Sequence, residues 1–515
     1  MNSIATALSR TQAYPHASEA VEVVETHISW VFLTGSLAYK VKKPLNLGFL
    51  DFSTLEKRRH YCNEEIRLNR RLCPEIYLSV VPVVRRGESL LVDVPGEIID
   101  YAVKMVQFDR KMELDRMLSQ QLLRDEHIDC LATLIARFHS SLTPVPAESC
   151  FGQPDNLLKP MLHNFTTLES IICDAHELNQ IALLQEYSMR EHRRLYPLLL
   201  KRKSEGFIRQ CHGDLHTGNM VLWKNRLIIF DCIEFNEALS TIDVISDLAF
   251  LFMDLEHGGE SGLAWRLLNN YLAETGDFEA LPLIRFYALY RAMVRAKVTA
   301  IRFSQSEGRE AEWILEEHSS YIARAQNYTC TQKPMLILTF GISGSGKTLF
   351  SRSIAEALHS IHIRSDIERK RLVGLKALER SEENRCLYAS DSSQKTYRRL
   401  LDLALICINA GISVIVDATF LKGSNRQMFI KIAEAHHTPC RILRFSAPDA
   451  VLIERVKRRN QRGDDASEAD TGVVRLQLVI QEPLTIEEEA ITFDIDSEQK
   501  VDGSAIASRL QSVTA

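Results

Sequence analysis

The sequence predicts two folds in tandem: an α+β half with a strand-rich first lobe and a helical second lobe, then an α/β half built on a parallel sheet. Three observations predict it. Short strand-like runs fill the first third and give way to helical periodicity after Leu114. Beyond residue 335 strands alternate with helices, the pattern of a parallel sheet covered on both faces. Between an apolar run and a helix-like segment stands Gly341-Ile-Ser-Gly-Ser-Gly346-Lys347-Thr348. This is GxxxxGK(S/T) in the strand–loop–helix context it requires.

The elements follow in order. Alternating apolar residues suggest strands at Val21–Glu25, Trp30–Leu33, Ala38–Lys42, Tyr77–Val84 and Ile98–Gln107, interrupted by a helix at Thr54–Leu72. Helical spacing then predicts Ile128–Leu142, Tyr187–Lys201, Asp243–Leu255 and Leu281–Phe303, with a proline-rich connector (Pro144, Pro146, Pro154, Pro160) after the first. The polar stretch Gln326–Pro334 sets a boundary near residue 331, giving expected domains at 1–330 and 331–515. Downstream strands are expected at Leu336–Phe340, Ile361–Arg364, Ile412–Val416, Cys440–Phe445 and Ile491–Ile495, with a helix at Leu349–His359.

Bulk properties narrow the function classes. The chain has 515 residues, too many for one ordinary domain, and is 45% hydrophobic and 25% charged, as soluble globular proteins are. A net charge of −5 argues against a nucleic-acid coat or a membrane-surface protein. No apolar run approaches about 18 residues, so no membrane span is expected. Residues 1–16 lack the apolar core of a signal peptide. Eleven cysteines without CxxC pairs, several inside apolar patterns (Cys130, Cys232, Cys407), read as reduced, buried thiols of a cytoplasmic protein.

Upstream, Cys211-His212-Gly213-Asp214-Leu215-His216-Thr217-Gly218-Asn219 precedes an apolar strand, Leu227–Phe230, and then Asp231. Phosphoryl transfer needs an aligned nucleophile, a proton acceptor and cations on the phosphates. Asp214 and Asn219, five apart on one loop, suit one facing a substrate hydroxyl and the other a metal. Asp231 adds a hard oxygen ligand fit for Mg²⁺. Cys211, His212 and His216 are softer ligands, but no fourth stands at useful spacing for zinc.

These residues resemble the catalytic loop and metal aspartate of the aminoglycoside phosphotransferase family, which also holds choline-type and homoserine-type small-molecule kinases. The resemblance implies an α+β, protein-kinase-like two-lobed domain in which Asp214 is the catalytic base and Asn219 and Asp231 bind Mg²⁺. Asp243 and Asp247 resemble the family's acidic pair after the site and are read as braces, since a helix-start aspartate satisfies free N–H groups. Leu37-Ala38-Tyr39-Lys40 resembles the Val-Ala-x-Lys strand whose lysine pairs with nucleotide phosphates. Lys42 lies on the same strand face and competes with Lys40, the preferred choice. Its carboxylate partner is sought at Glu64 or Glu65, with Glu65 preferred, and the hinge at Tyr101–Phe108. No glycine-rich loop covers the phosphates, so the turn Glu25-Thr26-His27 would serve, and ATP against GTP stays open.

Downstream, backbone N–H groups of the turn carrying Gly341, Ser343, Gly344, Ser345 and Gly346 would cradle phosphate at a helix N-terminus. Lys347 would reach the β/γ phosphates, and the Thr348 hydroxyl would sit on Mg²⁺. Val414-Ile-Val-Asp417 is an apolar strand ending in a carboxylate, the Walker B arrangement for Mg²⁺. Asp366 and Arg369 stand one helical turn apart after a strand, a carboxylate to take a hydroxyl proton and a guanidinium to grip substrate or a transferring phosphate; a helix-capping aspartate is the plain alternative. Asp366-x-x-Arg369, Asp417-Ala-Thr-Phe and Arg426 together resemble the P-loop kinase group. That group contains polynucleotide 5′-hydroxyl kinases, zeta-toxin-like kinases and gluconate- or adenylylsulfate-type kinases. It implies an arginine-bearing lid at Arg455–Gly463, with Arg459 and Arg462 as the candidate nucleotide contacts.

The combination resembles bacterial bifunctional aminoglycoside phosphotransferase/ATP-binding proteins. It implies two ATP- and Mg²⁺-dependent kinase sites, each acting on a hydroxyl of a small molecule. Two readings compete for the downstream half. One is a nucleic-acid end kinase, against which stand its modest basic content and the missing aromatic platforms. The other is a non-catalytic nucleotide switch for the first half. Neither membrane nor nucleic acid is expected as a partner. Asp254, Glu256 and Glu260 would suit a polycationic acceptor; Arg285, Arg291, Arg295 and Lys297 would suit an anionic or neutral one.

Overall fold

The computed structural model describes residues 3–16, 18–48, 50–330, 333–380, 390–463, 465–499 and 502–512. The chain divides into two compact units of three stretches apiece. One comprises Met1–His127, Arg137–Thr166 and Met189–Asp254; the other comprises Ile128–Ala136, Thr167–Ser188 and Leu255–Ala515.

In the first unit, β1 (Glu22–Glu25), β2 (Ser29–Leu33), β3 (Leu37–Lys42), β4 (Tyr77–Arg86), β5 (Ser89–Val92) and β6 (Glu97–Val106) form one antiparallel sheet, ordered β1-β2-β3-β6-β4-β5. Alternation places Phe32, Tyr39, Val41, Val81, Val83 and Ala102 in one core. The helix Leu55–Asn69 joins β3 to β4, and the Thr54 hydroxyl caps it by accepting from the Lys57 N–H. Strand β5 is unforeseen by the sequence reading. It is four residues long and closes through a two-residue turn in which Gly87 takes φ +62°. The expected hinge is also shorter than Tyr101–Phe108. Ala102–Val106 pairs with β3, and Tyr101–Met105 pairs with β4, so the chain leaves the sheet only at Gln107.

Beyond the sheet, β7 (Ile208–Gln210) pairs with β10 (Thr241–Asp243), and β8 (Met220–Trp223) pairs with β9 (Arg226–Ile229). These short strands bracket the loop His212–Asn219. The proline connector needs correction, because Pro154 opens and Pro160 sits inside a helix, Pro154–Ile171. A first-turn proline costs no helical hydrogen bond, and one interior proline is tolerated where tertiary contacts hold the helix. The next helix likewise runs further than its pattern, over Ala175–Ser204 with Pro197 inside.

The second unit carries the helices Ser261–Thr275, Leu281–Phe303 and Gly308–Asn327, of which the first and third are unforeseen. It also holds β11 (Leu336–Phe340), β12 (Ile361–Arg364), β13 (Val414–Asp417), β14 (Cys440–Ser446) and β15 (Thr492–Asp496). Every pairing is parallel, in the order β12-β13-β11-β14-β15. Strands β11 and β13 are buried throughout, the signature of a sheet covered on both faces. The second unit runs through residue 331, so the boundary there is one of pattern, from helices to alternating strands and helices. The chain thus has an antiparallel six-stranded sheet with helices in its N-terminal part and, from the strand that leads into the glycine turn onward, an α/β part with a five-stranded parallel sheet. Among the described residues no helix is long and apolar enough to cross a membrane. Cys130 is exposed, not buried as its pattern suggested, whereas Cys232 and Cys407 are buried.

Candidate active sites

The upstream site is built on a buried ion cluster. Lys40 and Lys42, two apart on β3, point to one face and meet Glu65 of the helix Leu55–Asn69. Lys40 Nζ lies 2.9 Å from Glu65 Oε1, and Lys42 Nζ 2.6 Å from Oε2. The competition between the lysines therefore resolves into a shared carboxylate. Lys42 also pairs with Glu234 and is wholly buried. Lys40 continues to Asp231 Oδ1, at 2.5 Å. Burial alone would lower the Lys40 ammonium, but Asp231 and Glu65 raise it well above its usual range. Burial would likewise raise Glu65, and the two lysines hold it down. Glu64 instead faces out and pairs with Arg67.

The loop His212–Asn219 is tied to the segment bearing Asp231. The Ile233 N–H donates to the His212 carbonyl (3.0 Å), the Phe230 N–H to the Asn219 carbonyl (3.0 Å), and His212 Nε2 lies 2.8 Å from the Phe230 carbonyl. Asp231 adopts φ +64°, a left-handed backbone that aspartate tolerates better than most residues. Asn219 Nδ2 donates to Asp214 Oδ2 at 3.0 Å, so base and metal candidate adjoin. Asp247 accepts from the His212 and Gly213 N–H groups (3.0 and 2.9 Å), and Asp243 pairs with Arg202. Asp214 is part-exposed. The oxygens of Asn219 and Asp231 fit a Mg²⁺ ion by their hardness.

In the downstream site the glycine turn is a cradle that side chains would fill. Gly341, Gly344 and Gly346 have φ +150°, +89° and +85°. A Cβ at Gly341 would meet the Phe445 carbonyl oxygen at 2.6 Å, and one at Gly344 the Leu452 carbonyl oxygen at 2.7 Å. Lys347 begins the helix Lys347–Leu358, and its Nζ donates to the Ile342 carbonyl at 2.8 Å, lying 3.4 Å from Ser345 Oγ. Burial lowers its ammonium to about 8, against the opposing pull of Asp417 and Asp366. Asp417 ends β13 and is buried. Burial would raise it, but the His362 Nε2–H bond (3.2 Å) and the charges of Arg364 and Lys347 bring it to about 2. Burial holds the His362 ring below its usual range, against the pull of Asp417. An ionised Asp417 and the Thr348 hydroxyl are hard donors that suit Mg²⁺.

Asp366 and Arg369 lie on the helix Ser365–Leu372 and pair with each other, Nη1 to Oδ1 at 2.6 Å. Arg459 donates to the Ala469 carbonyl (3.0 Å), and Arg462 is exposed at the end of the helix Asp449–Arg462. Arg455, from the same basic run, stands closer to the cradle: Nη1 lies 3.5 Å from the Gly344 carbonyl and 2.8 Å from Ser497 Oγ. Arg426 is buried under the Phe420 and Pro483 carbonyls and Glu488.

Several neighbours escaped the sequence reading. In the sequence His216 stands out only as a soft metal ligand. Its Nδ1 accepts from the Gly218 N–H (3.1 Å), leaving Nε2–H 3.3 Å from Asp214 Oδ2. Gln477 Oε1 accepts from the Ser343 N–H of the cradle at 2.8 Å. Glu234 and His362 carry no motif, and only the three-dimensional pairing reveals them. Two of the three acids named for a polycationic acceptor are engaged: Asp254 accepts from Thr217 N–H (2.9 Å), and Glu256 from the Tyr328 hydroxyl (2.5 Å). Among the bases, Arg295 bonds the Tyr321 hydroxyl and Arg285 the Gly411 carbonyl.

Comparison with known proteins adds three findings. The family model described as "AAA domain" matches residues 336–484. "Uncharacterized protein Rv2004c" of Mycobacterium tuberculosis (strain ATCC 25618 / H37Rv) is 30% identical over 463 residues, covering 88% of this chain and 90% of its own length. "Uncharacterized protein Mb2027c" of Mycobacterium bovis matches to the same extent. Among solved structures, a gluconokinase from Sinorhizobium meliloti 1021 shares 21% identity, covering 36% of this chain and 97% of its own, at a TM-score of 0.26. A choline kinase from Cryptosporidium parvum Iowa II shares 12%, covering 62% and 94%, at a TM-score of 0.38.

Proposed function

The chain belongs to the family of the mycobacterial proteins Rv2004c and Mb2027c, and on that premise we propose that it is a bifunctional, ATP-dependent phosphotransferase. Each site transfers the γ-phosphate to a hydroxyl of a small molecule. The two kinase halves are read as the sequence divides them, at 1–330 and 331–515, although the compact units interleave across that boundary, and the protein is read as cytoplasmic. One observation supports the upstream half of the reading: Lys40 joins Glu65 and Asp231 at 2.9 and 2.5 Å, and Asn219 meets Asp214 at 3.0 Å on a loop that backbone hydrogen bonds tie to the Asp231 segment.

In the upstream site Asp214 accepts the proton as the acceptor oxygen attacks phosphorus. His216 holds the carboxylate in place, Lys40 steadies the nucleotide phosphates, and Asn219 and Asp231 would hold Mg²⁺. In the downstream site the cradle N–H groups and Lys347 bind the phosphates, Asp366 takes the hydroxyl proton, and Arg369 grips the transferring group. Thr348 and Asp417 would hold Mg²⁺ there. In both, the ion supplies charge neutralisation on the phosphate oxygens.

The test is an incubation of the full chain with ATP and a pool of hydroxyl metabolites, read by mass spectrometry for gains of one phosphate. Asp214→Ala should remove one set of products and Lys347→Ala another. If neither substitution alters any product, the bifunctional reading is wrong. If only Asp214→Ala does, the downstream half is the nucleotide switch.

A further inference from the structure

The helix Ser261–Thr275 precedes the P-loop sequence by more than sixty residues, yet it belongs to the same compact unit as the parallel sheet. One of its faces carries Arg266, Asn269 and Ala273, spaced at three and four residues as a helix face requires. Each meets a different element of the downstream site. Arg266 Nη1 lies 2.8 Å from Glu356 Oε1, on the helix that starts at Lys347. The Ala273 carbonyl accepts from Arg371 at 2.5 Å, on the helix that carries Asp366 and Arg369.

Asn269 makes the middle contact, and it is a strand-like one. Its Oδ1 accepts from the His362 N–H at 2.8 Å, and its Nδ2 donates to the Ser360 carbonyl at 3.0 Å. Among the described residues, strand β12 is the edge of the sheet, with no further strand beside it. An edge leaves N–H and C=O groups without ladder partners, and one side-chain amide here supplies both a donor and an acceptor. The residue so gripped is His362, whose ring lies 3.2 Å from Asp417 Oδ2. Arg266 is itself fixed, by paired contacts to Asp129 at 2.6 and 2.8 Å, so the helix face is anchored.

We propose that Asn269 is a positioning residue of the P-loop site: by pairing with the edge strand it holds His362 against Asp417, and so sets how tightly the site takes a magnesium-bound nucleotide. The proposal rests on the reading of the downstream half as a nucleotide site. Phosphate binding by the cradle alone does not pass through Asn269, whereas the carboxylate that would hold the ion does. Loss of Asn269 therefore acts on the Mg²⁺-dependent part of binding.

The experiment measures ADP affinity of the full chain by calorimetry, with Mg²⁺ and with EDTA. The share belonging to the P-loop site is the binding that Lys347→Ala removes. Asn269→Ala should weaken the Mg²⁺-dependent affinity of that share several-fold and leave the EDTA value as in the wild type. His362→Leu, which removes the ring but keeps the backbone grip, should do the same, and it stands in if Asn269→Ala shows no cooperative unfolding. Unchanged affinity in the variant, or equal losses with and without Mg²⁺, overturns the proposal. If Lys347→Ala removes no binding at all, the nucleotide reading of this half fails instead, and the two failures are told apart.

Discussion

Glu65 is where one residue decides most. It serves two lysines at once, one through each oxygen, in a wholly buried position. Because its folded carboxyl lies below its free value of 4.5, the unfolded chain binds the extra proton first as pH falls. Stability should be fully present above pH 4.5 and drain away beneath it. Glu65→Gln should flatten that slope in acid denaturation followed by circular dichroism, and should cost about 3–5 kcal/mol at neutral pH by leaving buried ammonium groups short of a partner. Glycines give a second test. Gly344→Ala forces φ +89° on a side chain and meets a carbonyl oxygen at 2.7 Å, whereas Gly87→Ala, at φ +62°, meets nothing within 4 Å. Both should lose about 1–2 kcal/mol from the left-handed backbone, but only Gly344→Ala should also abolish the share of nucleotide binding that Lys347→Ala removes, as read by calorimetry.

Among the elements, the helix Val244–His257 braces the upstream loop through Asp247, which takes two backbone N–H groups. Asp247→Ala leaves both donors buried, at about 1–3 kcal/mol each, and hydrogen exchange at His212 and Gly213 should quicken with the loss. An aspartate that satisfies N–H groups at its own helix start is legible in the sequence, and Asp243 does this by accepting from the Ile245 N–H; Asp247 braces instead by reaching a loop more than thirty residues upstream, which no local signal shows. The parallel strands were legible too, because their apolar runs and glycine turn are contiguous signals. Four-residue β5 was not, since a run that short cannot show a period, and neither was the helix through Pro160, since its packing overrides a local breaker. Lys40 and Lys42 could be named from one strand but not told apart, because their answer lies with Glu65 and Glu234 far along the chain. Asn269 had no local signal at all.

On the scale of the whole molecule, the last third does not close on itself. A fragment of 331–515 would bare the edge of β12, including the His362 N–H and the Ser360 carbonyl. It should melt lower and aggregate sooner than a fragment of 255–515 by differential scanning calorimetry and light scattering. The family model begins at residue 336 and so excludes the helix that finishes its own sheet. The interleaving goes further, because residues 128–136 and 167–188 belong with a body whose remainder starts at 255. On a ribosome those two stretches emerge long before the partners they pack with. Birth order and assembly order therefore differ in this chain, and the early-made segments must wait, half clothed, for the carboxyl-terminal part to be synthesised.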